Sequence, residues 1–303
     1  MEDLDFTETS PSHPSAPPAA GPQPSVVQPS QSPIYDAAAA RVFFESAGTA
    51  ESVAAGKEFF AEHQQRGFFS AADRMYLLVE GAVALSVGGK SLDTLKAGEI
   101  FGELATITNS KRSATATAKT ACRVISLDGG QFEKAIQKSP EFVLILMSVM
   151  IDRLRLRLAR LAMMKALPDK PGDERRVFDD AMLDEIAGAL GNPRPLRFTA
   201  GQTIINAGES GVFMYLPREG YVAIMVDGKT LERIGPGGVF GETALVDHRA
   251  ARTANAIAET NCALMTVNRK QFIDLVQENS AIGLSLLKVL GQRLQAAMGQ
   301  SAK

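Results

Sequence analysis

The segments Phe101-Gly-Glu-Leu-Ala105 and Phe240-Gly-Glu-Thr-Ala244 are the most informative part of this 303-residue chain, because they lie at corresponding points of an internal duplication. A displacement of 139 residues superimposes Tyr76–Ile107 on Tyr215–Val246 without a gap, and 15 of the 32 aligned positions are identical. Solenoid repeats have periods of roughly 20–50 residues, so this separation indicates that a whole domain is present twice.

Each copy is predicted to contain antiparallel strands. The apolar segments Ala82–Val87 and Tyr221–Val226 run into Gly88-Gly89 and Asp227-Gly228. These dipeptides are typical of tight hairpins, because both central residues of the favoured turn need positive φ. Further apolar strands are predicted at Cys122–Leu127 and Cys262–Val267, where the two corresponding cysteines are expected to be small core residues without a reactive role.

Helices are expected to close each copy. A seam with spacings of three and four residues, typical of packed helices, consists of Leu144, Met147, Ile151, Leu154, Leu158 and Leu161. The second copy repeats the seam at Gly283, Leu287, Leu290, Leu294 and Ala297. A further helix is predicted over Asp173–Leu190, after Pro168 and Pro171. We interpret Arg153, Arg155, Arg157 and Arg160 as the solvated face of the first seam.

Composition excludes several classes of protein. A net charge of −2 argues against a general nucleic-acid binder, which would carry a strongly basic surface. Two cysteines and three separated histidines favour neither a disulfide framework nor a metal site, and no nucleophile–base pair indicates an enzyme. The longest apolar run, Phe142–Ile151, is far shorter than the roughly 20 residues of a membrane span. We therefore expect a cytoplasmic, non-catalytic protein.

The amino-terminal 33 residues are predicted to form a disordered arm. Eight of the 15 prolines lie between Pro11 and Pro33, among Ser, Ala, Gln and Gly, and this composition cannot bury enough apolar area to fold alone. The arm begins with Met1–Phe6, in which Leu4 and Phe6 lie among acidic residues. This peptide is either a docking segment for a partner or an inert acidic terminus.

The loop after each Phe-Gly-Glu run presents one acid and one arginine, namely Glu103 with Arg112 and Glu242 with Arg252. Glycine lets the backbone approach a ligand closely. The arginine, nine or ten residues after the acid, can return to the same place and offer a forked donor to phosphate oxygens. The carboxylate would repel phosphate, so it needs a donor such as a sugar hydroxyl. The pattern indicates a ligand with a phosphate and a ribose hydroxyl close together.

Both copies resemble the phosphate-binding cassette of the cyclic nucleotide-binding domain, as in bacterial catabolite activator proteins and regulatory subunits of cyclic-AMP-dependent kinase. The resemblance rests on Phe-Gly-Glu-x-Ala followed, after a short loop, by Arg-(Ser/Thr)-Ala. It implies that Glu103 and Glu242 bind the ribose 2′-hydroxyl and that Arg112 and Arg252 bind the cyclic phosphate. The remaining cassette residues that it implies are Gly102, Leu104, Ala105 and Ser113 in the first copy and Gly241, Thr243, Ala244 and Thr253 in the second.

The resemblance also implies an α+β fold of two tandem antiparallel β-roll (jelly-roll-like) domains, each flanked by helices. We expect the domains at 34–166 and 174–300, with a linker at 167–173. The chain departs from the family at Thr243, where leucine is usual, and in six extra residues between Gly56 and Tyr76 relative to the second copy.

The expected function is that of a cyclic-nucleotide receptor, with cyclic AMP as the ligand. Cyclic GMP is the alternative, because the Thr253 hydroxyl could help the site to accept guanine. Binding would tighten each cassette and move a lid helix, and a separate partner protein would receive the signal. The competing hypothesis is an interaction scaffold whose pockets are vestigial or adapted to another ligand, such as a cyclic dinucleotide. The seam at 144–161 either forms a homodimer or packs one domain on the other.

Two output modules known in the family are not expected. Only 51 residues follow Arg252, and the last strand and closing helices use them, so a helix-turn-helix has no room. Residues 1–40 contain no Lys or Arg, whereas a kinase regulatory subunit needs a basic pseudosubstrate in its arm.

Overall fold

The computed structural model describes residues 35–64, 74–169, 171–172 and 174–299. The predicted arm at 1–33, with its terminal peptide, lies outside the described residues, as do residues 65–73 of the longer segment in the first copy. The first copy contains α1 (Ala37–Ala47), β1 (Thr49–Val53), β2 (Glu58–Phe60), β3 (Arg74–Glu80), β4 (Ala82–Val87), β5 (Lys90–Lys96), β6 (Ile100–Phe101), α2 (Glu103–Thr108), β7 (Thr115–Ala118), β8 (Cys122–Asp128), α3 (Gly129–Lys138) and α4 (Glu141–Met163).

The second copy repeats this order closely. It contains α5 (Asp180–Ala189), β9 (Leu196–Phe198), β10 (Thr203–Ile205), β11 (Phe213–Glu219), β12 (Val222–Val226), β13 (Lys229–Ile234), α6 (Thr243–Val246), β14 (Asn255–Ala258), β15 (Cys262–Asn268), α7 (Arg269–Glu278) and α8 (Ser280–Gly299).

The strands of each copy form two antiparallel sheets. The first copy has the strand orders β1-β8-β3-β6 and β2-β7-β4-β5, and the second has β10-β14-β12-β13 and β11-β15-β9. Each pair of sheets encloses its own apolar cluster, which includes Leu78 and Val83 in one copy and Val222 and Leu264 in the other. The predicted α+β fold of two antiparallel β-rolls flanked by helices is confirmed.

The two predicted hairpins join β4 to β5 and β12 to β13. The turn residues Gly88 and Gly89 have φ of 55° and 74°, and Asp227 and Gly228 have φ of 49° and 75°. Positive φ at both central positions matches the right-handed twist of the flanking strands, which is why these dipeptides identified the turns.

The helical seams lie in α4 and α8, which pack on each other. Leu144, Met147 and Ile151 of α4 and Leu287 and Leu290 of α8 are buried in one cluster that spans both copies. The structure thus uses the seam for the second of the two predicted alternatives, packing one copy on the other. A homodimer through the same helix stays a prediction.

The helix predicted over Asp173–Leu190 begins later than expected, and this part of the prediction is wrong. It begins at Asp180, after Asp179, whose carboxylate accepts from the Met182 amide at 2.9 Å as an N-cap. The preceding residues are held on the second β-roll instead, because the amides of Val177 and Phe178 both donate to the Gly237 carbonyl at 2.9 Å. A helix that began at residue 173 would need these two amides to donate to the carbonyls four residues earlier.

Neither a membrane-crossing helix nor a metal cluster is found in the described part of the chain. No helix there combines the length and the apolar character that crossing a bilayer requires. In the same residues, no group of three or more His, Cys, Asp or Glu side chains is placed to hold a metal ion.

Candidate functional site

In the first cassette, Arg112 returns to the glycine that opens α2. Its Nη1 donates to the Gly102 carbonyl at 2.6 Å, and its Nη2 donates to the Arg74 carbonyl at 2.7 Å. The guanidinium carbon lies 4.1 Å from the centre of the Phe60 ring, and Arg112 is only 2% exposed. A Cβ at Gly102, where φ is 78°, would lie 2.8 Å from Arg112 Nη1. The arginine can approach this closely only because the residue is glycine.

The second cassette repeats the arrangement. Nη1 of Arg252 donates to the Gly241 carbonyl at 2.6 Å, and Nη2 donates to the Phe213 carbonyl at 2.9 Å. Burial lowers the pKa of Arg252 from its ordinary value, but an arginine starts so high that it stays charged at neutral pH. The backbone therefore holds a permanent cation in each cassette and fixes its orientation.

Each cassette glutamate lies beside an arginine of the helix that closes its own copy. Nη1 of Arg153, on α4, donates to Glu103 at 2.5 Å, and both side chains are largely buried. Nη1 of Arg293, on α8, donates to Glu242 at 3.1 Å. From the sequence, these carboxylates are expected to accept a hydrogen bond from a sugar hydroxyl. In the structure, an arginine occupies the position of that donor in both copies.

The second site contains further charged groups around Arg293. Its Nε donates to Glu232 at 2.8 Å, and its Nη2 donates to the Val239 carbonyl at 2.8 Å. Arg175, from the segment that links the copies, also donates to Glu232, at 3.1 Å. Burial by itself lowers the pKa of Arg293, but Glu232 and Glu242 outweigh burial and raise it. This network anchors α8 to the second β-roll.

The predicted residues of the second copy surround a cavity of about 220 Å³. It is lined by Gly241, Glu242, Thr243, Arg252 and Thr253, among others. The remaining predicted residue, Ala244, is buried in the same short helix. The structure therefore brings the predicted set together at one concave site, which can offer an anion a cation and a sugar hydroxyl a carboxylate.

In the first copy, α8 covers the cassette helix α2. A Cβ at Gly291 would overlap Thr108 and would lie 3.1 Å from Leu104 Cδ1. The Gln295 amide donates to the Thr108 hydroxyl at 3.2 Å and to the Ser110 hydroxyl at 2.6 Å. Of the remaining predicted residues, Ala105 is buried and Ser113 is exposed. The second copy therefore contacts the first cassette directly.

The interpretation of the α4 arginines as a solvated face is wrong for three of the four residues, Arg153, Arg155 and Arg157. Arg153 pairs with Glu103, Arg155 donates to the Ala251 carbonyl at 3.1 Å, and Arg157 donates to the Ala297 carbonyl at 3.0 Å. The physical reason is that α4 lies between its own cassette and the second copy, so these arginines reach acceptors on both.

Sequence reasoning missed Arg153 and Arg293 as site residues, although a signal was present. They lie 140 positions apart, the same separation as Arg112 and Arg252. Alignment of the two copies through their closing helices pairs Arg153 with Arg293. No comparable signal exists for Arg175, because its role depends on how the linking segment lies against β13.

The family described as cyclic nucleotide-binding domain matches residues 65–139 and 195–279. The type II regulatory subunit of cAMP-dependent protein kinase from Drosophila melanogaster is 29% identical over 181 residues, which cover 58% of this chain and 42% of the relative. The cAMP-dependent protein kinase regulatory subunit of Schizosaccharomyces pombe is 29% identical over 222 residues, which cover 72% and 48%. The chain thus spans less than half the length of these two relatives.

A similar solved structure is the regulatory domain of Toxoplasma gondii PKA with cAMP, which is 22% identical and has a TM-score of 0.30. The match covers 80% of this chain and 85% of that one. The family match takes in more than half of the 303 residues and falls once on each copy. The chain therefore belongs to the cyclic nucleotide-binding domain family and carries that domain twice in tandem.

Proposed function

We propose that this protein is a non-catalytic receptor for a cyclic nucleotide, with cAMP as the ligand, and that it acts on a separate partner protein in the cytoplasm. The observation that carries the proposal is that each cassette combines an arginine held by backbone carbonyls with a glutamate at the start of its short helix: Arg112 with Glu103, and Arg252 with Glu242. Both copies thus carry a cation suited to a phosphate and a carboxylate suited to a ribose hydroxyl, which supports ligand binding over a scaffold without a ligand.

The arginines are suited to hold the cyclic phosphate. The two bonds from Arg252 to backbone carbonyls use two of the five N–H donors of a guanidinium and fix its plane. A phosphate oxygen could accept from the remaining donors in a charge-assisted bond. The orientation is set before the ligand arrives, so little side-chain entropy is lost on binding.

The glutamates are suited to report occupancy. A ribose hydroxyl that donates to Glu103 replaces one donor of Arg153, and a hydroxyl at Glu242 does the same to Arg293. Each replaced bond is one that holds a long helix, α4 or α8, on a cassette. Ligand binding would therefore loosen the helices from the cassettes, shift a two-state equilibrium and expose surface to a partner.

The relatives described above are regulatory subunits of cAMP-dependent kinases, which supports cAMP as the ligand and a protein as the recipient of the signal. The Thr253 hydroxyl lines the second cavity and could accept from guanine, so cGMP is the alternative ligand for that site. The second candidate function remains a scaffold whose pockets take another ligand, such as a cyclic dinucleotide.

Calorimetric titration of the full chain with cAMP, cGMP and a cyclic dinucleotide tests the proposal. We expect two bound cyclic nucleotides for the wild type and one each for Arg112→Ala and Arg252→Ala. Loss of a buried contact between arginine and phosphate should weaken the affected site by about 2–5 kcal/mol, which is thirtyfold or more. Arg41→Ala, which removes an exposed arginine on α1, is the matched control and should bind two.

Other outcomes of the titration would reject the receptor proposal or change its ligand. Absence of heat with cAMP and cGMP at millimolar concentration would end the receptor proposal and favour the scaffold. Heat with the cyclic dinucleotide alone would retain the sites and change the ligand. Thermal melting of each variant without ligand separates weakened binding from unfolding.

A further inference from the structure

The cavity of the second site is not built from the second copy alone. Leu154 and Leu158, which line one of its walls, belong to α4 and therefore to the first copy. The segment between the copies contributes Pro168, Gly172 and Arg175. Three separate parts of the chain therefore enclose one cavity.

The cavity has a polar and an apolar part. Arg252 and Glu242 lie on its charged part, together with Arg175, Glu232 and Arg293, whereas Leu154, Leu158 and Ile224 supply apolar surface. A cyclic nucleotide is divided in the same way, because its phosphate and ribose are polar and its base is a flat, largely apolar ring. When the phosphate lies on Arg252 and the ribose on Glu242, the base is left for the apolar part.

The wall from α4 is held firmly against the second copy. The guanidinium of Arg155 donates to the Ala251 carbonyl, next to Arg252, and Arg157 donates to the Ala297 carbonyl on α8. Leu154 and Leu158 are four residues apart, so they lie on one face of the helix. Leu156, between them in sequence, is not among the lining residues.

We propose that the second nucleotide site is a composite site, in which Leu154 and Leu158 of the first copy form the wall that contacts the base. The inference rests on the proposed function. It assigns contact with the base to two residues that do not belong to the second copy. It also makes α4 common to both sites, because Arg153, adjacent to Leu154, donates to Glu103 of the first cassette. Affinity at the second site then depends on where α4 lies.

The test uses the full chain with Arg112→Ala, so that the second site is titrated without the first. In this background, Leu154→Ala and Leu158→Ala are compared with Leu156→Ala, which makes the same change on the same helix away from the cavity. We expect the dissociation constant for cAMP or cGMP to rise about tenfold for each wall variant and to stay within twofold for Leu156→Ala. Leu158→Met, which keeps an apolar wall, should bind within threefold of the background.

A ligand without a base makes the test specific. The methyl riboside of 3′,5′-cyclic phosphate carries the phosphate and ribose only, so it should bind the wall variants and the Leu156→Ala control with equal affinity. If this probe is weakened as much as cAMP, the leucines act on the cassette and not on the base, and the inference is overturned.

Two other results would also overturn the inference, and only the second of them affects the proposed function. Wall variants that bind cyclic nucleotide as tightly as Leu156→Ala would reject the composite wall and leave the receptor intact. A background chain that binds no cyclic nucleotide, although it melts cooperatively, would reject ligand binding at the second site and the composite wall with it.

Discussion

Arg153 of α4 and Arg293 of α8 occupy equivalent positions in the two copies, and each donates to the cassette glutamate of its own copy. Each helix also contacts the opposite copy, since Arg155 reaches the Ala251 carbonyl and Gln295 reaches the Thr108 hydroxyl. Both long helices therefore contact both copies close to the two cassettes.

Removal of one partner from the ion pair between Arg153 and Glu103 should destabilise the protein strongly. Glu103 is 4% exposed, so Arg153→Met leaves a buried carboxylate without this partner and should lower the free energy of unfolding by about 3–5 kcal/mol. Glu103→Gln should also destabilise, and the double variant should lose less than the two single losses together. Urea unfolding of the four proteins measures this coupling.

The exposed pair of Arg41 with Glu45 on α1 is the control for that cycle. Its coupling should be about 0.3–0.5 kcal/mol, because solvent screens exposed charges. Strictly additive losses for Arg153 and Glu103 would contradict the structural role of the pair.

Gly291→Ala should separate the two copies locally. Its Cβ would overlap Thr108, where α8 lies on α2, so the helix must shift. Although alanine is the better helix former, we expect a net loss of about 1–3 kcal/mol from overpacking. The control is Gly188→Ala in α5, where a Cβ would meet nothing within 4 Å and should add about 1 kcal/mol. Equal stabilisation of both variants in thermal melting would show that α8 does not pack this tightly.

Gly211→Ala should weaken the second site and spare the first. A Cβ there would overlap Nη2 of Arg252, whose guanidinium must then leave the Phe213 carbonyl. The displaced guanidinium then misses a charge-assisted bond to the phosphate worth about 1.5–3 kcal/mol, so the second dissociation constant should rise at least tenfold in a two-site titration. Gly129→Ala, at a position with open space, should change neither constant. A uniform change at both sites would contradict the prediction.

The two cysteines should be inert in the folded chain. Cys122 and Cys262 are 2% and 3% exposed, and neither forms a disulfide. Burial raises the pKa of Cys262, so at pH 8 less of it is the reactive thiolate than for a free cysteine. A thiol reagent such as Ellman's reagent should react slowly with the native protein, whereas in denaturant it should react with two thiols. Rapid reaction of one native equivalent would contradict this burial.

The sequence alone was sufficient to predict the features that depend on a short stretch of residues. Gly88-Gly89 and Asp227-Gly228 placed the hairpins because the backbone itself demands positive φ at those positions. The seam of α4 was recognised from its spacing, since one face of a helix must stay apolar to be buried. The cassettes were recognised because Gly, Glu and Arg recur in both copies at nearly the same spacing.

Features that depend on contacts between distant segments became visible only in the folded chain. The helix predicted from Asp173 begins only at Asp180, because Gly237 takes the preceding backbone amides. The sequence around Arg153 indicates a surface residue. In the folded chain Arg153 is a partner of Glu103, because α4 lies over the cassette. Periodicity shows that a helix face is covered, but not which segment covers it. That choice follows from how α4 and α8 cross between the copies, which no local pattern encodes.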